Sequence, residues 1–520
     1  MTIAHGPAEA PRHPLQWWEH RWAVAAFMLL STVPLWWPDV PPLVDLPGHL
    51  GRYRVQLDLA TSPDLQRFYT FEWAIIGNLG VDLLVQLFGP LFGIEPTVKA
   101  IVMLTPALTA GGLLWVAREV HGRVPPTALF ALPFAYNFPF LFGFINFALA
   151  MALALLAFAL WLRLARQGRF ALRAALFVPI SCLLWLVHAF GWGALGLLAF
   201  SAELVRQVDR GGKPVASAWR AGLHCLSLAP PILLMLAWRS NGGGQTFDWF
   251  NWIAKLNWLK MMLRDRWEWF DLLSLMVVIA LLVFVLASKR LTFSRNLTAS
   301  ALFLLLVYVA LPRVVFGSAY ADMRLAPYMF AIAVIAIRVP EGNLRLSRAL
   351  ALAGLAFFLL RTGGTTASMW LYDARYDREL AALERVPTGA AVVSFVGRPC
   401  IEPWGMSRLH HLPALTIVRR SGFANDQWTM QGAQLLGSDY AAGGRFVRDP
   451  SQIVSLRPCG GEYWLTIEQS LLRFPREAFD YVWLIDPPPF DPRLTAGLTE
   501  VWRDGTSALY RVGRGGQTPG

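Results

Sequence analysis

The sequence predicts an all-α polytopic membrane bundle of about eleven spans, followed by a small α/β domain outside the membrane. Three observations carry this. The chain of 520 residues is 55% hydrophobic and only 15% charged, with mean hydropathy +0.44, whereas soluble domains run nearer a quarter charged. Apolar runs long enough to cross a bilayer recur between residues 22 and 362, separated by arginine-rich turns. Beyond Arg361 the composition shifts to charge, Gly and Pro, with strand-like and helix-like patterns alternating.

Taken in order, residues 1–21 are a polar cytoplasmic arm. The apolar run starting at Trp22 has no small-residue cleavage pattern after it and reads as a retained helix. Residues 22–364 form the transmembrane domain, with spans at 22–38, 96–117, 125–143, 145–162, 171–188, 189–205, 219–238, 271–288, 297–314, 324–338 and 346–362. The segment Leu79–Gly93 is apolar but short, contains Asp82 and is broken by Gly89 and Pro90, so it reads as a helix lying along the interface.

Positive charge sets the orientation. With 79–93 held out of the membrane, Arg118/Arg123, Arg163/Arg166/Arg169/Arg173, Arg206/Arg210/Lys213, Lys289/Arg290/Arg295 and Arg338/Arg345/Arg348 all land on the cytoplasmic side. If 79–93 spanned, every one of them would flip outward. The N-terminus is therefore expected inside and the C-terminus outside, with a first outer loop at 39–95. The outer loop 239–270 carries Lys255, Lys260, Arg264 and Arg266 among Trp249, Trp252, Trp258, Trp267 and Trp269. Indoles mixed with cations describe an amphipathic helix at the headgroup level. It reads as an interfacial anchor, or as a set of cations for lipid phosphates.

In residues 365–520, Ala390–Val396, Tyr481–Ile485 and Ala508–Val512 read as strands and Asp373–Arg385 as a helix. Cys182 and Cys225 fall in apolar spans as packing residues. Cys400 and Cys459 fall in the polar region, where a disulfide can form if that region is extracytoplasmic. The net charge of +12 brackets the spans as a topology signal and gives no footing for nucleic-acid binding. There is no P-loop, dinucleotide fingerprint, zinc pattern or Gly-x-Ser-x-Gly.

Polar residues that are expensive in a membrane protein converge on the outer side, which points to function. Asp45 and His49 open the first outer loop, followed by Arg52, Asn78 and Asp82; Asn146 begins a span, His188 lies where one exits, and Asp322 and Arg324 open another. Asp45 suits a general base or a cation ligand; its competing role is to cap the helix that follows. His49, four residues on, shares a face with it if a helix begins there. His188 is a phosphate donor, a proton shuttle or a packing residue. Arg324 suits a phosphate clamp or a local pair with Asp322. Asn137 and Asn146 suit helix–helix hydrogen bonds, although Asn146 is also placed to meet substrate. His410 and His411 read as surface residues.

An acidic residue just after the first span, a long first outer loop with horizontal helices, many spans and an outer α/β domain together resemble the GT-C superfamily of integral membrane glycosyltransferases. The stretch VDLPGHLGRY is similar to the D-x-P-x-H-x-x-R element of a largely uncharacterised bacterial group with GT-C-like layouts, fitted by Asp45, Pro47, His49 and Arg52. FGFINFALA, LVHAFGWGALGL and ADMRLAP resemble further segments of that group.

The resemblance implies inverting transfer of a sugar from a polyprenyl-phosphate donor to a glycan, lipid or protein acceptor at the outer face of the bacterial inner membrane. Asp45 would be the catalytic acid–base residue with His49 beside it. Arg52, Asn78, Asp82, Asn146, His188, Asp322, Arg324, Lys255 and Lys260 would meet substrate. Many GT-C enzymes carry two adjacent acidic residues here, whereas Asp45 is followed by Leu46. That favours metal-independent catalysis, with a divalent cation still open as a cofactor and no metal ligands assigned. Two other readings compete: a flippase or transporter of lipid-linked substrates, which calls for ionisable groups near the midplane, and a non-catalytic membrane scaffold.

Overall fold

The computed structural model describes residues 14–239, 245–340, 343–429 and 434–513; the rest of the arm 1–21 and of the loop 239–270 lies outside the described residues. Among these, Ile94–His121, Ile145–Arg166, Phe170–Val187 and Glu268–Ala287 are long and apolar enough to cross a membrane, and Pro214–His224 with Leu226–Ala237 makes a span bent by 45°. Shorter apolar helices, including Arg21–Leu35, Arg295–Ala310 and Ala326–Ile335, fill other expected positions. Leu183, Ile279, Phe284, Leu286, Leu306, Leu352 and Leu360 are exposed. A belt of that size on a folded surface is lipid-facing, and the chain is a membrane protein.

One expected span takes a different form. Pro126–Tyr136 is a fully buried 3-10 helix of 11 residues, continued by the short α-helix Phe138–Phe142. Pro133 and Pro139 remove N–H donors that an α-helix would need, and at about 2 Å rise per residue the tighter form covers about 22 Å.

The basic turns gather at one end. Arg123 Nε donates to Glu19 at 2.5 Å, Arg166 pairs with Glu119 at 2.6 Å, and Arg295 pairs with Asp209. Thr292–Phe293 and Ile337–Arg338 form a two-stranded antiparallel pair there. Asp45, the turn at Gly143, His188 and Arg324 lie at the opposite helix ends.

Above that opposite end sits a six-stranded mixed sheet of β1 (Val392–Gly397), β2 (Ile453–Ser455), β3 (Leu465–Thr466), β4 (Tyr481–Ile485), β5 (Leu498–Asp504) and β6 (Ser507–Val512), in the order β3-β2-β1-β4-β6-β5. β1, β2, β3 and β4 run parallel, with Val392 opposite Tyr481, and β6 is antiparallel to β4 and β5. β1 and β4 are buried almost throughout, as strands covered on both faces must be. Cys400 and Cys459 are disulfide-bonded. The boundary near residue 364 is not a linker, because one helix of 37 residues, Leu344–Leu380, runs through it. Its end docks on the sheet through Ser507 Oγ, which donates to Glu379 at 2.8 Å.

Buried charges bolt the two halves together. Arg408 pairs with Asp265 at 2.5 Å and donates to the Pro42 carbonyl at 2.8 Å. Arg361 pairs with Asp271 at 2.6 Å, and Trp404 Nε1 donates to the same carboxylate at 2.7 Å. Removing one partner of such a pair strands the other. Arg408→Met is therefore expected to cost about 3–5 kcal/mol in thermal unfolding of the detergent-solubilised chain. Arg503→Met, in an exposed pair with Glu500, should cost at most about 1 kcal/mol. Equal effects at the two positions would remove the clamp from the account.

Candidate active site between the membrane bundle and the C-terminal domain

The first-loop helix Leu46–Asp58 starts with Pro47 in its first turn, a position where the missing N–H costs nothing. Asp45 occupies its N-cap, yet the carboxylate makes no capping bond, so capping does not account for the residue. The His49 N–H donates to the Asp45 carbonyl at 3.1 Å, which puts the two side chains one helical turn apart on one face. The Asp45 N–H donates to the Phe142 carbonyl at 3.0 Å. A Cβ at Gly143 would lie 2.7 Å from that same nitrogen, and Gly143 holds φ +101; only glycine fits there without strain. Gly48 admits the Trp428 indole, which a Cβ would meet at 2.6 Å.

Asp45 and His49 open into a cavity of about 410 Å³ that both halves of the molecule enclose. From the membrane side come Asn78, Asn146, His188 and Arg324, with Phe142, Phe144 and Phe147 as apolar wall. From the C-terminal domain come Arg398, His410, His411, Trp428, Asp449, Glu462 and Trp464. Six of the residues singled out from the sequence thus share one cavity.

Arg324 is the least compensated of them. It is 6% exposed, and among the described residues it forms no ion pair. Its Nε has no hydrogen-bond partner. The guanidinium instead lies over the rings of Phe144, Phe190 and Phe147 at 4.4, 5.4 and 5.7 Å. Of its two readings, the local pair with Asp322 does not form, because Asp322 pairs with Lys255 at 3.4 Å. His188 Nδ1 accepts the Phe190 N–H at 3.1 Å, which leaves Nε2–H as the donor of the neutral ring.

Asn146 spends its amide on structure. It accepts from Val81 N at 2.5 Å and donates to the Asn78 carbonyl at 3.1 Å and to Asp82 at 3.0 Å. Among the described residues the side chain of Asn78 has no such commitment.

Five of the expected substrate residues, Asp322 among them, are engaged elsewhere. Arg52 and Asp82 form a buried pair at 2.8 Å, and Arg52 also donates to Gln434 at 2.7 Å. One turn beyond His49 it points to the inside of the loop and braces it. Lys255 turns inward and donates to the carbonyls of Tyr308 and Leu311 at 2.8 and 2.7 Å, so the amphipathic helix Trp252–Lys260 presents apolar side chains outward: Trp252, Ile253 and Leu256 are exposed. Lys260 pairs with Glu268 at 3.0 Å in solvent.

Sequence reasoning missed the contribution of the C-terminal domain. His410 and His411 are not surface residues but 5% and 6% exposed. The Trp428 ring packs tilted against both His411 and His49, with centroids 4.3 and 5.2 Å away. His411 Nε2 lies 3.9 Å from both Asp45 Oδ1 and Asp449 Oδ1. The run Leu409–His410–His411–Leu412, apolar on both sides, was the one available hint of burial. No cluster of three or more His, Cys, Asp or Glu with metal-holding geometry occurs among the described residues.

Burial pushes the Asp45 carboxyl well above the usual carboxylate range; nearby Asp449 adds to this and Arg324 opposes it. Burial likewise holds His49 well below the ordinary imidazole value, with Arg52 and His411 adding to it. A carboxyl that binds its proton more tightly folded than unfolded favours folding at low pH, and that contribution is lost as pH rises through the folded value. Asp45→Asn is therefore expected to raise the unfolding temperature at neutral pH by a few degrees. The gain should fade on acidification below the ordinary carboxylate range. A variant less stable than wild type at neutral pH would contradict this.

No family model matches the chain, and no curated protein matches it. Among solved structures its fold is similar to that of ArnT from Cupriavidus metallidurans, crystallised bound to undecaprenyl phosphate, with 11% sequence identity, TM-score 0.46, and coverage of 94% of this chain and 96% of that one. At that identity and score the likeness is one of overall outline.

Proposed function

We propose that the chain is an inverting membrane glycosyltransferase. It would move a sugar from a polyprenyl-phosphate donor to an envelope acceptor at the outer face of the bacterial inner membrane. The observation that carries this reading is Arg324, a buried guanidinium that forms no ion pair among the described residues, facing a cavity that also holds the uncapped carboxyl of Asp45. A buried cation kept unpaired costs several kcal/mol, and an anionic ligand supplies the missing partner. The aromatic wall suits an isoprenoid chain.

The chemistry fits these groups. Phosphate is a good leaving group, so the site must stabilise the negative charge it gains and accept the proton of the acceptor hydroxyl. Arg324 and the His188 Nε2–H serve the first task; for the second, Asp45 holds the acceptor hydroxyl, with His49 orienting it. The Cys400–Cys459 disulfide supports an oxidising compartment for the C-terminal domain, as does its position opposite the arginine-rich turns.

In membranes of producing cells, Asp45→Asn is expected to abolish sugar transfer at unchanged protein level. Arg324→Met should weaken binding of a polyprenyl phosphate to the purified chain by about 10–100-fold, with inorganic phosphate a poor competitor. Full transfer by Asp45→Asn, together with unchanged binding by Arg324→Met, would reject the reading. For the orientation, Phe250→Cys and Arg493→Cys should react with a membrane-impermeant thiol reagent on intact cells, and Arg166→Cys only after lysis. The reverse pattern would invert the topology.

A further inference from the structure

We propose that His411, from the C-terminal domain, is a catalytic residue of this site and brackets the acceptor hydroxyl together with Asp45. The inference rests on the transferase reading and deepens it. His411 Nδ1 lies 3.0 Å from the Asp426 carbonyl oxygen. A carbonyl only accepts, so Nδ1 carries the proton and Nε2 of the neutral ring is a bare lone pair. That lone pair lies 3.9 Å from Asp45 Oδ1 on one side and 3.9 Å from Asp449 Oδ1 on the other. The separation is too long for a direct hydrogen bond. It is the right size for one oxygen seated about 2.8 Å from both Nε2 and Asp45.

The charge states agree with this placement. Burial drives the Asp45 carboxyl up and the His411 imidazole down, with Asp449 and the Asp426 carbonyl drawing the imidazole back up and Arg398 lowering it further. Both shifts favour the uncharged form, in which Nε2 still offers a lone pair, so it is the better base of the two. The other titratable groups around the ring are His410 and His49, both held neutral by burial first, and Asp426, whose Oδ2 accepts the Ala414 N–H at 2.9 Å. In the step itself the acceptor O–H bond breaks and its proton goes to His411 Nε2. The oxygen's electron pair forms the bond to the anomeric carbon. The bond from that carbon to phosphate breaks, and its pair leaves on the phosphate oxygen opposite Arg324. Asp449 stabilises the imidazolium until the proton passes to solvent.

The test uses the full-length chain in isolated membranes, whose own lipid-linked sugars and acceptors are the substrates, and polyprenyl phosphate alone as the binding probe. His411→Ala should lower transfer by about 100-fold or more while polyprenyl phosphate still binds as in wild type. Added imidazole should restore part of the rate. In a series of substituted imidazoles the acid limb of the rescued rate should follow the pKa of the added base. His411→Asn, whose side-chain NH2 can keep the bond to Asp426 but which has no Nε2, should be as slow as His411→Ala. Transfer within about 3-fold of wild type in either variant, or a loss that imidazole does not restore, overturns the assignment of His411. If Asp45→Asn and Arg324→Met abolish transfer in the same membranes, only His411 falls; if they do not, the transferase reading falls with it.

Discussion

The Arg408 guanidinium is the constraint on which the cavity depends. It joins the Pro42 carbonyl, three residues before Asp45, to Asp265 in the amphipathic outer loop. It also lies over the Tyr372 ring at 4.1 Å, and its own carbonyl accepts the Tyr376 hydroxyl at 2.6 Å. Both tyrosines belong to the long helix Leu344–Leu380. Arg408 sits at φ +59, a backbone conformation that costs energy for a residue with a Cβ. Its contacts must over-determine it for that conformation to persist. Two and three residues later come His410 and His411, so the same clamp fixes the roof of the cavity against the floor that carries Asp45.

Seen as electrostatics, the outer end sorts its buried charges into two groups. Arg52 with Asp82, Lys255 with Asp322, Arg361 with Asp271 and Arg408 with Asp265 are matched pairs. Each is backed by further hydrogen bonds, as a buried pair must be to offset its desolvation. Arg324 forms no ion pair among the described residues and lies against aromatic faces, with the Asp45 carboxyl acting on it only at longer range; cation–π contacts return about 0.5–2 kcal/mol, less than the guanidinium loses on leaving water. The imbalance lies at the cavity, where the uncapped Asp45 carboxyl also sits. A fold that pairs four buried cations at this end has the means to pair a fifth, and the unpaired one marks the place where the proposed ligand anion is expected.

Local spacing made part of this legible. Asp45 and His49 are four apart beside a proline that starts a helix, and helical geometry alone puts them on one face. Val392–Gly397, Tyr481–Ile485 and Ser507–Val512 are short, β-branched and apolar runs, and fold as strands. What spacing could not supply is partnership at a distance. Lys255 and Asp322 are 67 residues apart, and nothing near either shows that they consume each other. His411, Trp428 and Asp449 come together only when the C-terminal chain folds over the first-loop helix. The segment at 126–142 misled for another reason. It is apolar on every side, so it has no periodicity to separate an α-helix from a tighter one, and its prolines were the signal that a regular α-helix would not form.

The position of the polar groups along the helices bears on which kind of membrane protein this is. A transporter must offer its cargo a site reachable from both faces in turn, which is why transporter sites sit near the midplane on interrupted helices. Here Asn146 begins the helix Ile145–Arg166, His188 separates Phe170–Val187 from Ala189–Asp209, and Arg324 precedes Ala326–Ile335. All three stand at helix ends, under a roof of β-sheet and loops that is bolted down by buried ion pairs. Below them the bundle is filled by apolar core: Phe147, Met151, Leu155, Phe158 and Leu195 are all buried in one cluster. A cavity closed toward the basic end and shared with a rigid outer domain can hold a lipid headgroup beside a second substrate. A second hollow of about 440 Å³ lies at the basic end, lined by Glu19, His121, Arg123 and Arg338, and the apolar cluster stands between the two; that separation supports the proposed group transfer at one surface.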